Sequence, residues 1–145
     1  MKIFEALRQD HEKQRLLMNI LMKTSGSSDS RKTFFAELKT ELANHALAEE
    51  RHFYAPLMAF DNTIEPSRHA VAEHHEIDEL LEKVEQADMH SSAWLAHMKN
   101  LQHKVLHHLA EEEHEFFQEA RKVLNTKQNT ILAAAYQQEM RLQAS

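Results

Sequence analysis

Two stretches of this chain, offset by 63 residues, present the same three chemical groups in the same order. The first holds His11, His45 and Glu49; the second holds His74, His108 and Glu112. The offset also carries neighbouring positions, most of them core-type: Leu17 pairs with Leu80, Leu38 with Leu101, Glu50 with Glu113, Phe53 with Phe116 and Tyr54 with Phe117. One offset that links both kinds of position is an internal repeat. It restricts the fold to two copies of one supersecondary unit that bury their apolar faces against each other.

The unit is helical. Over residues 2–23, Ile3, Phe4, Leu7, His11, Leu17, Met18 and Leu21 fall on one stripe at three-to-four spacing. Residues 31–59 place Phe34, Phe35, Leu38, Leu42, His45, Glu49 and Phe53 inward, with Pro56 expected to kink the last turn. A third helix has Pro66 in its first turn and runs to about Ala87, with Val71, His74, Ile77, Leu81 and Val84 inward. A fourth, capped by Ser91 or Ser92, continues to about Leu124 through Leu95, Met98, Leu101, Val105, His108, Glu112 and Phe116. The breaks at 24–30, 61–63 and 88–92 are short, and one Gly and two Pro leave few other turns. The expected architecture is all-α, an antiparallel up-down-up-down four-helix bundle built from two helical hairpins. A short amphipathic helix at about 126–142 packs outside it. Residues 1–145 form one domain in this reading, with its core at about 2–124.

A histidine and a glutamate at i and i+4 share a helix face, with Cβ atoms about 5–6 Å apart. His45/Glu49 and His108/Glu112 meet that spacing. His11 lies 15 residues before Gly26 and His45 lies 19 after it. At about 1.5 Å per residue their heights differ by roughly 6 Å, one turn. Four imidazoles and two carboxylates thus converge between apolar stripes, where an unpaired carboxylate is very costly. Two metal ions bridged by Glu49 and Glu112, each with two histidines, fit this symmetric donor set better than one. Imidazole and carboxylate without sulfur suit iron, with manganese or zinc as alternatives. Bridged metals in a bundle core can bind or activate a small molecule.

A single His-x-x-x-Glu is more often a solvated pair, and His107/Glu111 and His69/Glu73 repeat the spacing by chance. The offset separates signal from chance. His75 and His107 have Glu12 and Asn44 as counterparts, whereas His74 and His108 have histidines. His52, His69, His90, His97, His103 and His114 are expected at the surface or in support of the site. Trp94, Met18, Met22, Met58 and Met98 read as packing. Tyr54, if it reaches the cavity, is a hydrogen-bond donor to a bound ligand.

Other classes are excluded more simply. The chain has no cysteine, so disulfides, thiolate metal sites and cysteine nucleophiles are absent. A net charge of −6 without a basic stripe argues against nucleic acid. No run approaches the roughly 18 apolar residues of a membrane span. Glu5 and Arg8 fall where a signal peptide needs an apolar run, so a cytoplasmic location is expected.

These residues resemble the hemerythrin-like cation-binding proteins over roughly Phe4 to Ala120. The resemblance rests on Asp10-His11, on His45 through Glu49-Glu50 followed by Phe53-Tyr54-Ala55-Pro56, on Glu73-His74, and on His108 through Glu112-Glu113 followed by Phe116-Phe117. It implies a four-helix bundle around a non-haem di-iron centre with an oxo or hydroxo bridge, and His11, His45, Glu49, His74, His108 and Glu112 as ligands. The oxygen carriers of that family have a fifth histidine one turn from the third-helix ligand, where this chain has Ala70 and Asp78. They also place an Asp five residues after the last-helix histidine, where this chain has Glu113, preceded by Glu112. The pattern is closer to members linked to oxygen or nitric oxide response, iron handling or repair of iron centres. The expected function is to bind a small diatomic ligand, oxygen or nitric oxide, for sensing, storage or stress protection. The alternatives are a di-iron enzyme (peroxidase, oxidase, nitric oxide reductase or repair activity) and a metal-free helical interaction protein.

Overall fold

The structure, a computed structural model, describes residues 1–144. Among these residues the chain forms five helical rods and no strand. They are α1 (Ile3–Met22), α2 (29–57), α3 (Asp61–Gln86), α4 (92–123) and α5 (Thr126–Ala144). Helix α1 packs on α2 and α3 on α4, while α1 also meets α4 and α2 meets α3. Helix α5 lies across α1 and α2. None of the described helices is long and apolar enough to cross a membrane.

Each of α1 to α4 passes through two apolar clusters separated by a polar belt. One cluster gathers Phe4, Leu7, Phe53, Tyr54, Leu57, Ala70, Phe116 and Phe117, and α5 adds Ala133 and Tyr136. The other gathers Leu17, Met18, Phe35, Leu38, Ile77, Leu81, Trp94, Met98, Leu101 and Val105. Helices α1 and α3 run from the first cluster to the second, and α2 and α4 run back. Between the clusters lie buried His11, His45, Glu49, His74, His108 and Glu112.

The repeat extends to the helix starts. Ser28 caps α2 by accepting from Arg31 N at 3.2 Å, and Ser91 caps α4 by accepting from Trp94 N at 3.3 Å. Both pairs obey the same offset. The two loops they close meet at one end of the molecule. Buried Arg31 donates to Met89 O and Thr24 O, each at 2.7 Å, and its guanidinium sits 4.2 Å from the Trp94 ring centre. Gly26 takes φ +57 there, a conformation that suits glycine. Helix α5 opens with a reciprocal cap: Asn125 and Gln128 each accept from the other's backbone N–H at 2.8 Å.

Three local expectations need correction. Helix α3 begins at Asp61 rather than after Thr63, so Pro66 lies inside it. Phe60 O accepts from Ile64 N at 2.9 Å and thereby starts the helix early. The bond that Pro66 cannot make would end on Asn62, which is exposed, so solvent can reach that carbonyl. Leu95 is 37% exposed rather than inward, because fully buried Trp94 sets the phase of α4. Phe34 and Val71 are only half-buried. Helix α2 also contains a π-helical turn at Glu50–Tyr54, ahead of Pro56, which the sequence pattern does not anticipate. Helix α4 has the same turn at Glu112–Phe116 with no proline nearby, so Pro56 is not its cause.

Candidate metal centre

The polar belt brings all six repeat residues to one point. Ligand-type atoms of His11, His45, Glu49 and Glu112 lie within 4.8 Å of one another, and so do those of Glu49, His74 and His108. Glu49 belongs to both groups: its Oε1 is 3.4 Å from His45 Nε2 and 3.2 Å from His74 Nε2. Glu112 reaches His11 Nε2 at 3.2 Å through Oε1 and His108 Nε2 at 3.6 Å through Oε2. His75 and His107, which the offset sets aside, are exposed.

Each imidazole turns Nε2 inward and uses Nδ1 to hold a polar group behind it. His11 Nδ1 is 2.6 Å from Glu113, His74 Nδ1 is 3.1 Å from Glu50, and His108 Nδ1 is 2.8 Å from Glu73. His45 departs from this pattern. Its Nδ1 is 2.5 Å from the Tyr136 hydroxyl, which donates onward to Asp10. A carboxylate facing Nδ1 keeps the proton there and leaves the Nε2 lone pair free for a cation. These supporting groups were not assigned a role in the sequence. Asp10/Glu73 and Glu50/Glu113 obey the 63-residue offset and could have been found that way; Tyr136 lies beyond the repeat.

The inward atoms face one another as ion pairs, but most of them find no well-formed hydrogen bond. Among the described residues, His11 Nε2, His45 Nε2, His108 Nε2, Glu49 Oε2 and Glu112 Oε1 are buried with no hydrogen-bond partner. Such atoms cost roughly 1–3 kcal/mol each when left unmatched. Cations placed among them would satisfy every one, so the donor set fits metal ions.

The charges are arranged accordingly. Burial lifts Glu112, and the neighbouring negative charge of Glu49 adds to it. Glu49 resists the upward pull of burial through His45 and through hydrogen bonds within the cluster, and stays well below the usual carboxylate range. Two carboxylates this close cannot both ionise easily without cations between them. Burial alone would push His11 and His74 down, but their paired glutamates outweigh it and raise them to about 9 and about 10. Burial likewise pulls Glu73 and Glu113 upward, yet His108 and Lys104 hold the first at about 2, and His11 and Arg15 hold the second at about 2.

The π turns complete the site. Each begins at or next to the buried glutamate of its half, Glu49 or Glu112, and closes with a bond to the carbonyl five residues back, Ala55 N to Glu50 O and Phe117 N to Glu112 O. One extra residue in the turn advances the phase, so that glutamate and the following aromatic pair both face inward. Tyr54 is thereby fully buried, and its hydroxyl bonds to Glu49 Oε1 at 2.6 Å and to Glu112. Burial and both carboxylates keep that phenol protonated, well above its ordinary range.

Comparison with known proteins agrees with this geometry. Residues 2–120 match the family model of the hemerythrin HHE cation binding domain. No curated protein matches the chain. Among solved structures, a hemerythrin HHE cation binding domain-containing protein from Mycobacterium kansasii superposes with a TM-score of 0.82 at 21% identity, over 98% of this chain and 89% of that one. At that identity the likeness is one of fold.

Proposed function

We propose that this chain, which belongs to the hemerythrin HHE cation-binding domain family, holds two non-haem iron ions and binds a small diatomic molecule, oxygen or nitric oxide, for sensing, storage or protection. Glu49 and Glu112 would be shared between the ions, with His11 and His45 holding one and His74 and His108 the other. The observation that carries this reading is the set of buried, unpartnered Nε2 and carboxylate oxygen atoms facing one another. The scaffold is an up-down-up-down bundle in one domain, a topology supported by the alternating order in which the helices meet the two clusters. When bound, iron supplies the change of oxidation state on which reversible capture of a diatomic depends.

The chain's own residues bound the ligand's size and polarity. A cavity of about 20 Å³ adjoins His45, His74 and His108 and is walled by Leu42, Ile77, Val105 and Leu109. It has room for about one water-sized molecule, which favours a diatomic over a larger substrate. Gln14 also lines it, is 1% exposed, and its amide nitrogen has no partner. That N–H is free to donate to a bound ligand. Tyr54 holds its proton between the two glutamates and steadies both.

The test is the metal content and visible spectrum of tag-free protein purified in air. About two irons per chain, with a ferric spectrum that changes under nitric oxide, is the expected result. Gln14→Leu should keep the metals and release nitric oxide roughly fivefold faster, the equivalent of about 1 kcal/mol for one hydrogen bond. Two zinc or manganese ions would retain the centre and weaken the oxygen chemistry. No metal, and none taken up anaerobically, would overturn the reading.

A further inference from the structure

The two halves of the repeat differ most on their outer faces. Between α1 and α2, residues Ala6 and Ala48 are buried beneath Ala133 and Tyr136 of α5. Their counterparts at the 63-residue offset, between α3 and α4, are His69 and Glu111. Among the described residues no helix covers them. A cavity of about 540 Å³ opens there instead, with Glu65, Glu115 and Glu119 at its walls. The counterparts of those three are Lys2, His52 and Pro56. With Glu111, four of the six acidic residues lining the cavity are therefore peculiar to the open half.

Inside the cavity, His69, Glu73 and Glu111 turn ligand-type atoms to within 4.8 Å of one another. His69 Nε2 is 3.0 Å from Glu111 Oε1 and 3.6 Å from Glu73 Oε1. Lys104 lies 3.2 Å from the other Glu73 oxygen, so Glu73 is partly neutralised, while the ion-pair partners of Glu111 among the described residues are the histidines His69 and His107. The inner wall is formed by His108 and Glu112. Both are more than nine-tenths buried, and His108 Nε2 and Glu112 Oε1 make no hydrogen bond. Glu73 joins the two levels, since its Oε1 also faces His108 Nδ1 at 2.8 Å.

We propose that His69, Glu73 and Glu111 form a low-affinity divalent-cation site in the mouth of the α3/α4 cavity, through which metal ions reach the centre. The inference rests on the two-metal reading of that centre. One imidazole with two carboxylates takes borderline divalent ions without excluding harder ones. A cleft lined by charge of one sign raises the local concentration of counter-ions and speeds their arrival. Partial exposure lets the ion exchange, and the adjoining deeper donors draw it inward.

Cobalt(II), added anaerobically to the metal-free full chain, is the probe, read by stoichiometry and by the rate of uptake. The wild type should take two ions tightly and a third weakly. His69→Ala and Glu111→Gln lie on the surface, away from the centre's inner atoms. Each should keep the tight pair, lose the weak ion and load about tenfold more slowly at low salt, with the gap closing at high salt. Loading at the wild-type rate in both variants, or a weak ion that persists in both, would overturn the proposal and leave the centre standing. Absence of the tight pair from the wild type would remove the centre and the entrance together.

Discussion

Helices α1 and α2 and helices α3 and α4 carry the same two histidines and one glutamate on the inside and different residues on the outside. On the open side Glu73 reaches His108 Nδ1 directly at 2.8 Å. On the covered side its counterpart Asp10 is one methylene shorter and stays 4.0 Å from His45 Nδ1. The Tyr136 hydroxyl fills that gap from α5. The aligned imidazole is the same in both halves; the way it is held is not. A duplicated sequence therefore preserves what the centre needs on the inside. It lets one outer face become packing surface while the other becomes access.

The largest effect should come from the residues that the comparison treats as equal. Glu49→Ala and Glu112→Ala should each remove most of the bound metal, while His75→Ala leaves it intact. Metal analysis after desalting checks this, and equal content in all three variants would sink the assignment of the centre. The outer supports come next. Losing the partner of a ligating histidine typically weakens metal binding about 10–100-fold. Glu73→Ala and Tyr136→Phe should both fall in that range in competition with a chelator. The comparison adds a sharper demand: Asp10→Glu placed in the Tyr136→Phe background should recover affinity, because a glutamate there can span the distance that Glu73 spans. Unchanged affinity in Tyr136→Phe would mean that Tyr136 acts by packing rather than by its hydroxyl, and no recovery in the double variant would mean that a carboxylate at position 10 cannot take over from that hydroxyl.

The smallest effect is on pH dependence. In metal-free protein His11 and His74 rise from 6.5 to about 9 and about 10. A raised pKa means that the folded state holds its protons more tightly. Their stabilisation is complete below pH 6.5 and is lost as pH rises through 9 to 10. Glu73 and Glu113 fall from 4.5 to about 2, so theirs is present above pH 4.5 and lost as pH falls through 2. Thermal melts of chelated protein should therefore be highest between these limits and decline toward alkaline pH. With metal bound, ions replace those protons and the alkaline decline should shrink; identical profiles with and without metal would contradict the linkage.

The sequence by itself determined the helices, the two-copy organisation and the burial of His74 rather than His75 and of His108 rather than His107. These follow from local periodicity and from one offset, both properties of a linear string. It also contained Asp10, Glu50, Glu73 and Glu113 at paired positions, although pairing alone does not say that a carboxylate sits behind an imidazole. Leu95 was misplaced because two adjacent apolar residues, Trp94 and Leu95, compete for one inward direction, and the larger ring won it. The π turns were not legible, since a phase advance of one residue depends on packing at both ends of the helix. Tyr136 and the open cavity belong wholly to the tertiary structure. Which face α5 covers is decided by contacts between segments more than 90 residues apart, as in the Tyr136–His45 pair with its separation of 91. Periodicity within a helix holds no information about such a contact, because the apolar stripe of α5 fixes only that it must be buried, and the surface waiting for it fixes where.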